Sequence, residues 1–179
     1  MLTEIICAGF GGQGILTTGI LISYGAFKNG KKITWYPSYG SEMRGGTANC
    51  TIKISDEDIA SPYAKELDVL LAMNGPAIDK FEERIKPGGY LFVNASIVED
   101  DRKYRDDINV IKVDTVELAK KAGNPKGENI AMIGAILKVT KMFTLEQFES
   151  SIIKYFTDKG KEKFNDANIA ALKTGYESI

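Results

Sequence analysis

The chain contains no histidine. That removes the commonest general base and the commonest metal ligand, so any chemistry here falls to Glu, Asp, Lys, Tyr, Cys or a borrowed cofactor. Cysteine is nearly as scarce: Cys7 and Cys50 are the only two, and neither stands in a C-x-x-C pair. A disulfide scaffold, a zinc site and an iron–sulfur cluster are therefore without support. Both cysteines lie in apolar or β-like segments and read as buried reduced thiols, which suits a reducing cytoplasm. No stretch approaches the roughly 18 consecutive apolar residues of a membrane span. No basic segment followed by an apolar run opens the sequence, so no secretory leader is expected. Charge of one sign is lacking too. A net charge of −1 sets up no overall field toward nucleic acid or an anionic membrane, and neither partner is expected. The run Glu99–Asp107 mixes both signs, as solvated surface does.

Glycine is what the chain has in excess, and unevenly. Ten of its 18 glycines fall in the first fifty residues. They concentrate in Gly9-Phe10-Gly11-Gly12-Gln13-Gly14 and in the segment Ser38–Asn49, which contains Arg44-Gly45-Gly46-Thr47. Glycine packed that densely after an apolar strand means that backbone approaches something closely.

The pattern around these segments alternates strands and helices. Leu2–Ala8 reads as a first strand and Ile15–Phe27 as a helix apolar on most faces. Lys32–Tyr36 reads as a second strand ended by Pro37, and Asn49–Ile54 as a third. Leu67–Met73 is a continuous apolar run, as in a strand covered on both faces. A helix over Pro76–Ile85 follows, stopped by Lys86-Pro87-Gly88-Gly89, then strands Tyr90–Asn94 and Asn109–Val113 and a short helix Thr115–Ala122. Ile130–Met142 is a buried helix in which Gly134 lets another element cross closely. Thr144-Leu145-Glu146-Gln147 is a capping box, with Phe143 and Phe148 placed as a hydrophobic staple. Lys161–Tyr176 reads as a last, more polar helix. The expected fold is one domain of 179 residues, a Rossmann-like three-layer α/β/α sandwich. Its sheet is mostly parallel, and the turn at Ser55–Asp58 leaves room for a mixed one.

Gly9, Gly11 and Gly14 match G-x-G-x-x-G between a strand and a helix, a pattern that exposes amides to a phosphate at a helix N-terminus. A dinucleotide fold also wants an acid at the end of the second strand. Thr34-Trp35-Tyr36-Pro37-Ser38 has none, which weakens NAD. The bland reading, a glycine turn that lets helix and sheet pack, stands beside the anion reading. Arg44, held between Met43 and Gly45-Gly46, either forks onto a phosphate or carboxylate or is neutralised by Glu42. Asn129 reads first as a helix N-cap.

Together the segments Gly9–Leu16, Tyr39–Cys50 (YGSEMRGGTANC), Ser61-Pro62 and Asn129–Ala135 resemble the γ subunit of the 2-oxoacid:ferredoxin oxidoreductases, in order and over the whole chain. The resemblance leans toward the branch acting on 2-oxoglutarate or branched-chain 2-oxoacids rather than indolepyruvate, with pyruvate still open. It implies a non-catalytic subunit of a complex that decarboxylates a 2-oxoacid to acyl-CoA and reduces ferredoxin. Thiamine diphosphate with magnesium, [4Fe–4S] clusters and CoA would serve that chemistry on α, β and ferredoxin-like δ partner chains. The sequence agrees in lacking both a G-D-G diphosphate motif and four clustered cysteines. The expected role of this chain is to brace the catalytic pair and to contribute to CoA binding, with no catalytic residue and no metal of its own. The candidate contact residues are Gly9, Gly11, Gly12, Gln13, Gly14, Arg44, Gly45, Gly46, Thr47 and Asn129. A stand-alone nucleotide-binding module built on Gly9–Gly14 and a purely structural assembly subunit are the alternatives.

Overall fold

The structure is a computed structural model that describes residues 1–39 and 47–179. Six strands form one sheet: β1 (Leu2–Phe10), β2 (Lys32–Tyr39), β3 (Thr47–Ser55), β4 (Leu67–Ala72), β5 (Ile85–Asn94) and β6 (Asn109–Val113). Their order across the sheet is β2-β3-β1-β4-β5-β6. β1, β4, β5 and β6 run parallel, whereas β3 is antiparallel to both β1 and β2. The sheet is therefore mixed at one side and parallel at the other.

The helices are α1 (Ile15–Lys28), α2 (Gly75–Phe81), α3 (Thr115–Lys121), α4 (Glu128–Thr140), α5 (Leu145–Asp158) and α6 (Asn165–Glu177). The layers are unequal. One face of the sheet packs on α1, α3, α4, α5 and α6 around Ile5, Leu71, Phe92, Ile133 and Phe148. The other carries α2 and the loops that hold Ala64, Val98 and Ile108. No helix of the described residues is long and apolar enough to cross a membrane.

Several expected boundaries shift, each for a tertiary reason. Pro37 does not end β2, which runs on to Tyr39 with Pro37 opposite Cys50. β2 is an edge strand, where a missing N–H need break no ladder bond. The helix expected over Pro76–Ile85 stops at Phe81, and a single 3-10 turn at Glu82–Arg84 follows. Buried Ile85 then pairs with Leu67 and opens β5. Pairing resumes at Val69 opposite Tyr90, so Lys86-Pro87-Gly88-Gly89 are held as an irregularity inside the strand. The last helix begins at Asn165, after a separate 3-10 turn at Glu162–Phe164. The capping box is present: Gln147 N donates to Thr144 Oγ1 (3.2 Å) and Thr144 N to Gln147 Oε1 (2.9 Å). The Phe143 and Phe148 rings lie 6.1 Å apart beside it.

Cys7 and Cys50 face each other across β1 and β3, both fully buried. Their mutual hydrogen bond, aided by burial, pushes the Cys7 thiol well above the usual thiol range. The pair is core, as the sequence suggests.

Candidate functional site

Connectivity places the site. β1 and β4 are parallel neighbours, yet β1 feeds α1 on the many-helix face while β4 feeds α2 on the other. Such a reversal opens a crevice at the carboxyl ends of the strands, where α/β sheets bind ligands. The Gly9–Gly14 loop lies at this crevice. Phe10 pairs with Thr47, and Tyr39 with Ala48, so the strands bounding residues 40–46 end at the same edge. Arg44, Gly45 and Gly46 themselves lie outside the described residues, as do the details of the Thr47 side chain.

The loop owes its glycines to packing and to conformation. A Cβ on Gly9 would stand 2.6 Å from Gln13 Oε1 and 2.8 Å from Ile15 Cδ1. Gly12 (φ +96°) and Gly14 (φ +72°) occupy left-handed backbone that side chains resist. Gly11 and Gly12 are exposed at the turn. Gln13 is engaged within the chain. Its Oε1 accepts from Phe10 N (2.7 Å), and its Nε2 donates to the Met73 carbonyl (3.1 Å). The carboxamide thus ties the loop to the end of β4.

Asn129 is not the N-cap of α4. Gly127 precedes the helix and Glu128 begins it, because the tight turn in which Gly127 N donates to Asn124 O (2.8 Å) starts the helix early. Asn129 sits in the first turn and donates from Nδ2 to the Gly14 carbonyl at 3.3 Å. That oxygen also accepts from Thr18 N (2.8 Å) and Thr18 Oγ1 (3.0 Å). A Cβ on Gly14 would meet Asn129 Nδ2 at 2.8 Å. The start of α1 is thereby fixed against the start of α4.

Between them opens a cleft of about 420 Å³. Gly12, Gln13, Gly14 and Asn129 line it together with Ile97, Val116, Pro125 and Lys126. No side chain caps α1, and Gly14, the residue before its first turn, lines this space. Glu128 also lines the cleft, with Oε2 accepting from Thr115 Oγ1 at 3.3 Å. Asp114, nearby, is spent as the cap of α3. The Ser96 hydroxyl and the Glu117 amide hold its carboxyl below the usual carboxylate range. A second cleft of about 330 Å³ lies on the α2 side, lined by Phe10, Asn74, Asp79, Glu99 and Arg102 among others. Ile97 borders both. Asn74 caps α2 by accepting from Ala77 N (2.9 Å).

The structure thus gathers Gly12, Gln13, Gly14 and Asn129 around one space. Gly9 lies beneath the loop as packing. Sequence reasoning missed Ile97, Val116, Pro125 and Lys126. A signal existed: Lys126 is framed in Gly123-Asn124-Pro125-Lys126-Gly127, much as Arg44 is framed by glycines.

Among known proteins, the ketoisovalerate oxidoreductase subunit VorA of Methanothermobacter marburgensis is 35% identical over 94% of this chain, which spans only 34% of that protein. The 2-oxoglutarate synthase subunit KorC of Methanocaldococcus jannaschii is 32% identical, with 99% of this chain and 94% of that one aligned. The crystal structure of a keto/oxoacid ferredoxin oxidoreductase γ subunit from Geobacter sulfurreducens superposes with a TM-score of 0.81 at 28% identity, covering 98% and 96% of the two chains. Residues 4–178 match the profile of the pyruvate ferredoxin/flavodoxin oxidoreductase family. With that match across nearly its whole length, and with γ subunits as its relatives, the chain belongs to the pyruvate ferredoxin/flavodoxin oxidoreductase family as a γ-type domain.

Proposed function

We propose that this chain is the γ subunit of a complex that oxidatively decarboxylates a 2-oxoacid to acyl-CoA and passes the electrons to ferredoxin. Within it the chain braces the catalytic subunits and helps to bind CoA. 2-Oxoglutarate or a branched-chain 2-oxoacid is the favoured substrate, in keeping with the YGSEMRGGTANC segment and the names of the relatives above. The observation that carries the reading is the crowding of one sheet edge. The Gly9–Gly14 loop, the uncapped start of α1 and the strand ends that bound Arg44 all lie there. Phosphate is the ligand chemistry such an edge favours.

This chain's own cysteines do not fit an iron–sulfur cluster. An iron–sulfur cluster needs four thiolates, and the only two here face each other inside the core. In this reading thiamine diphosphate, magnesium and the clusters belong to α, β and δ chains, and ferredoxin takes the acceptor role. The cytoplasm is the expected compartment.

The complex should be purified anaerobically from its host through a tag on this chain. Partner chains, brown iron–sulfur absorbance and dye reduction dependent on both a 2-oxoacid and CoA are expected. A colourless, partner-free protein would refute the reading. In the assembled enzyme, Arg44→Ala should raise the KM for CoA about tenfold, the scale of one charge-assisted contact to phosphate. Unchanged CoA kinetics in a properly assembled variant would remove Arg44 from the CoA site. A purely structural role is favoured by the packing duties of Gly9 and Gly14. It predicts no rise in melting temperature when CoA is added.

A further inference from the structure

The two cysteines lie directly opposite one another in the sheet, in unequal surroundings. Cys7 of β1 and Cys50 of β3 are register partners in an antiparallel pair. Such partners project to one face with Cα atoms about 4.5–5.5 Å apart, inside the roughly 4.4–6.8 Å that a disulfide spans. Both thiols are free. The Cys50 thiol donates to the Ile15 carbonyl at 3.7 Å and accepts from Cys7, which chiefly holds it below the usual thiol range. The same Cys7–Cys50 bond, with burial, pushes Cys7 well above that range. Cys50 is therefore the better nucleophile, and Cys7 the group that keeps its proton. A Cβ on Gly19 would lie 2.3 Å from Cys50 Sγ and 2.8 Å from Trp35 Nε1. That indole N–H is buried and makes no hydrogen bond, so a free donor stands beside the sulfur, and negative charge there would satisfy it. Cover comes from the edge strand. In β2, Pro37 lies opposite Cys50 and Trp35 opposite Ile52, on the Cys50 face of the sheet. When β2 lifts off, Trp35 leaves with it and uncovers the sulfur.

We propose that Cys50 and Cys7 are a peroxide-oxidised modification site, closing to a reversible cross-strand disulfide when local opening of β2 admits hydrogen peroxide. The Cys50 thiolate attacks one peroxide oxygen. The O–O bond breaks, leaving a sulfenic acid on Cys50 and a hydroxide that takes up the proton Cys50 gave. The Cys7 sulfur then displaces the sulfenic hydroxyl, which leaves as water with the Cys7 proton. Two thiols lose two electrons, and one hydrogen peroxide becomes two waters. Phe10 and Thr47, each three residues from the pair along its strand, are partners at the end of the same ladder. The bond thus ties together the strand that leads into the Gly9–Gly14 loop and the strand that follows residues 40–46.

The test uses the full chain, reduced and purified by itself, with hydrogen peroxide as the probe. Peptide mapping should find a Cys7–Cys50 disulfide within one chain, and dithiothreitol should restore both thiols. Trp35 is the only tryptophan, so its emission should fall as the disulfide forms beside it and recover on reduction. In Cys7→Ser, oxidation of Cys50 should stop at the sulfenic acid, which dimedone traps. In Cys50→Ser, Cys7 should react at least about tenfold more slowly than Cys50 does in the first variant. Equal reactivity of the two would overturn the assignment of Cys50 as nucleophile. The parent chain gives a test that needs no substitution. Its oxidation rate should rise with urea along the shallow slope of local opening rather than the steep slope of global unfolding. A rate that follows global unfolding would mean that only the unfolded chain oxidises, and the proposal fails. It fails equally if the native chain stays reduced in peroxide that cross-links the chain in urea, since the pair is then inert core.

Discussion

Glu4 and Lys53 bring opposite charges into a place with little water. Their side chains are 11% and 8% exposed, with Glu4 Oε1 2.7 Å from Lys53 Nζ. The remaining valences are filled by one short loop. Glu4 Oε2 accepts from the amides of Lys65 (3.1 Å) and Glu66 (3.3 Å), and Lys53 donates to the Tyr63 carbonyl (3.2 Å). The pair thus clamps Tyr63–Glu66 onto the sheet, and Tyr63 in turn packs edge-on against Tyr36, with ring centroids 5.1 Å apart. Removing one charge leaves the other buried and uncompensated. Glu4→Gln should cost about 3–5 kcal/mol in urea unfolding, whereas an apolar double replacement, Glu4→Leu with Lys53→Met, should recover much of it. A Glu4→Gln variant within about 1 kcal/mol of the parent would mean that water reaches Lys53 and that the clamp is dispensable.

At the scale of elements, α4 and α6 cross so closely that each carries a glycine at the contact. A Cβ on Gly134 would lie 2.1 Å from the Leu172 carbonyl oxygen, and one on Gly175 would lie 1.8 Å from that of Ala131. Propensity and packing pull in opposite directions here. Gly175→Ala in a free helix would gain about 1 kcal/mol. In this crossing it must push backbone apart, and a loss of about 3 kcal/mol or more is expected, read as a fall in Tm. A rise in Tm would show that the helices can separate at little cost. Gly134 was legible because a glycine within an otherwise apolar helix marks a close crossing. Gly175 was not, because in the polar last helix it reads only as a weak helix former. The same division holds elsewhere. Local chemistry announced the capping box at Thr144 and the strand Asn109–Val113. Pro37, Ile85 and Asn129 were misplaced because edge position, a distant pairing partner and the neighbouring Gly14 decide their roles. The candidate site follows suit. Its glycine loop is written in one contiguous motif, but Ile97, Val116 and Lys126 reach the cleft from three separate segments that no local pattern links.

For the molecule as a whole, the reversal between β1 and β4 fixes both the candidate ligand edge and the distribution of stability. β1 lies between β3 and β4, and β4 between β1 and β5, with both faces covered: Ile5, Leu71 and Met73 on one side, Ile6, Leu70 and Ala72 on the other, all at most 1% exposed. Their amides can exchange with solvent only when most of the domain opens. β2 is bonded on one side alone, and Tyr36 and Ser38 are exposed. It can leave the sheet at the expense of the β3 ladder and a few contacts with α1. In hydrogen exchange of the full chain free of partners, β2 amides should therefore exchange at least about tenfold faster than those of β1 and β4. The slowest group should change with denaturant along the slope of global unfolding, and β2 with a smaller slope. Equal protection of β2 and β4 would mean that the free edge is covered in solution. The chain would then not be alone even when purified by itself.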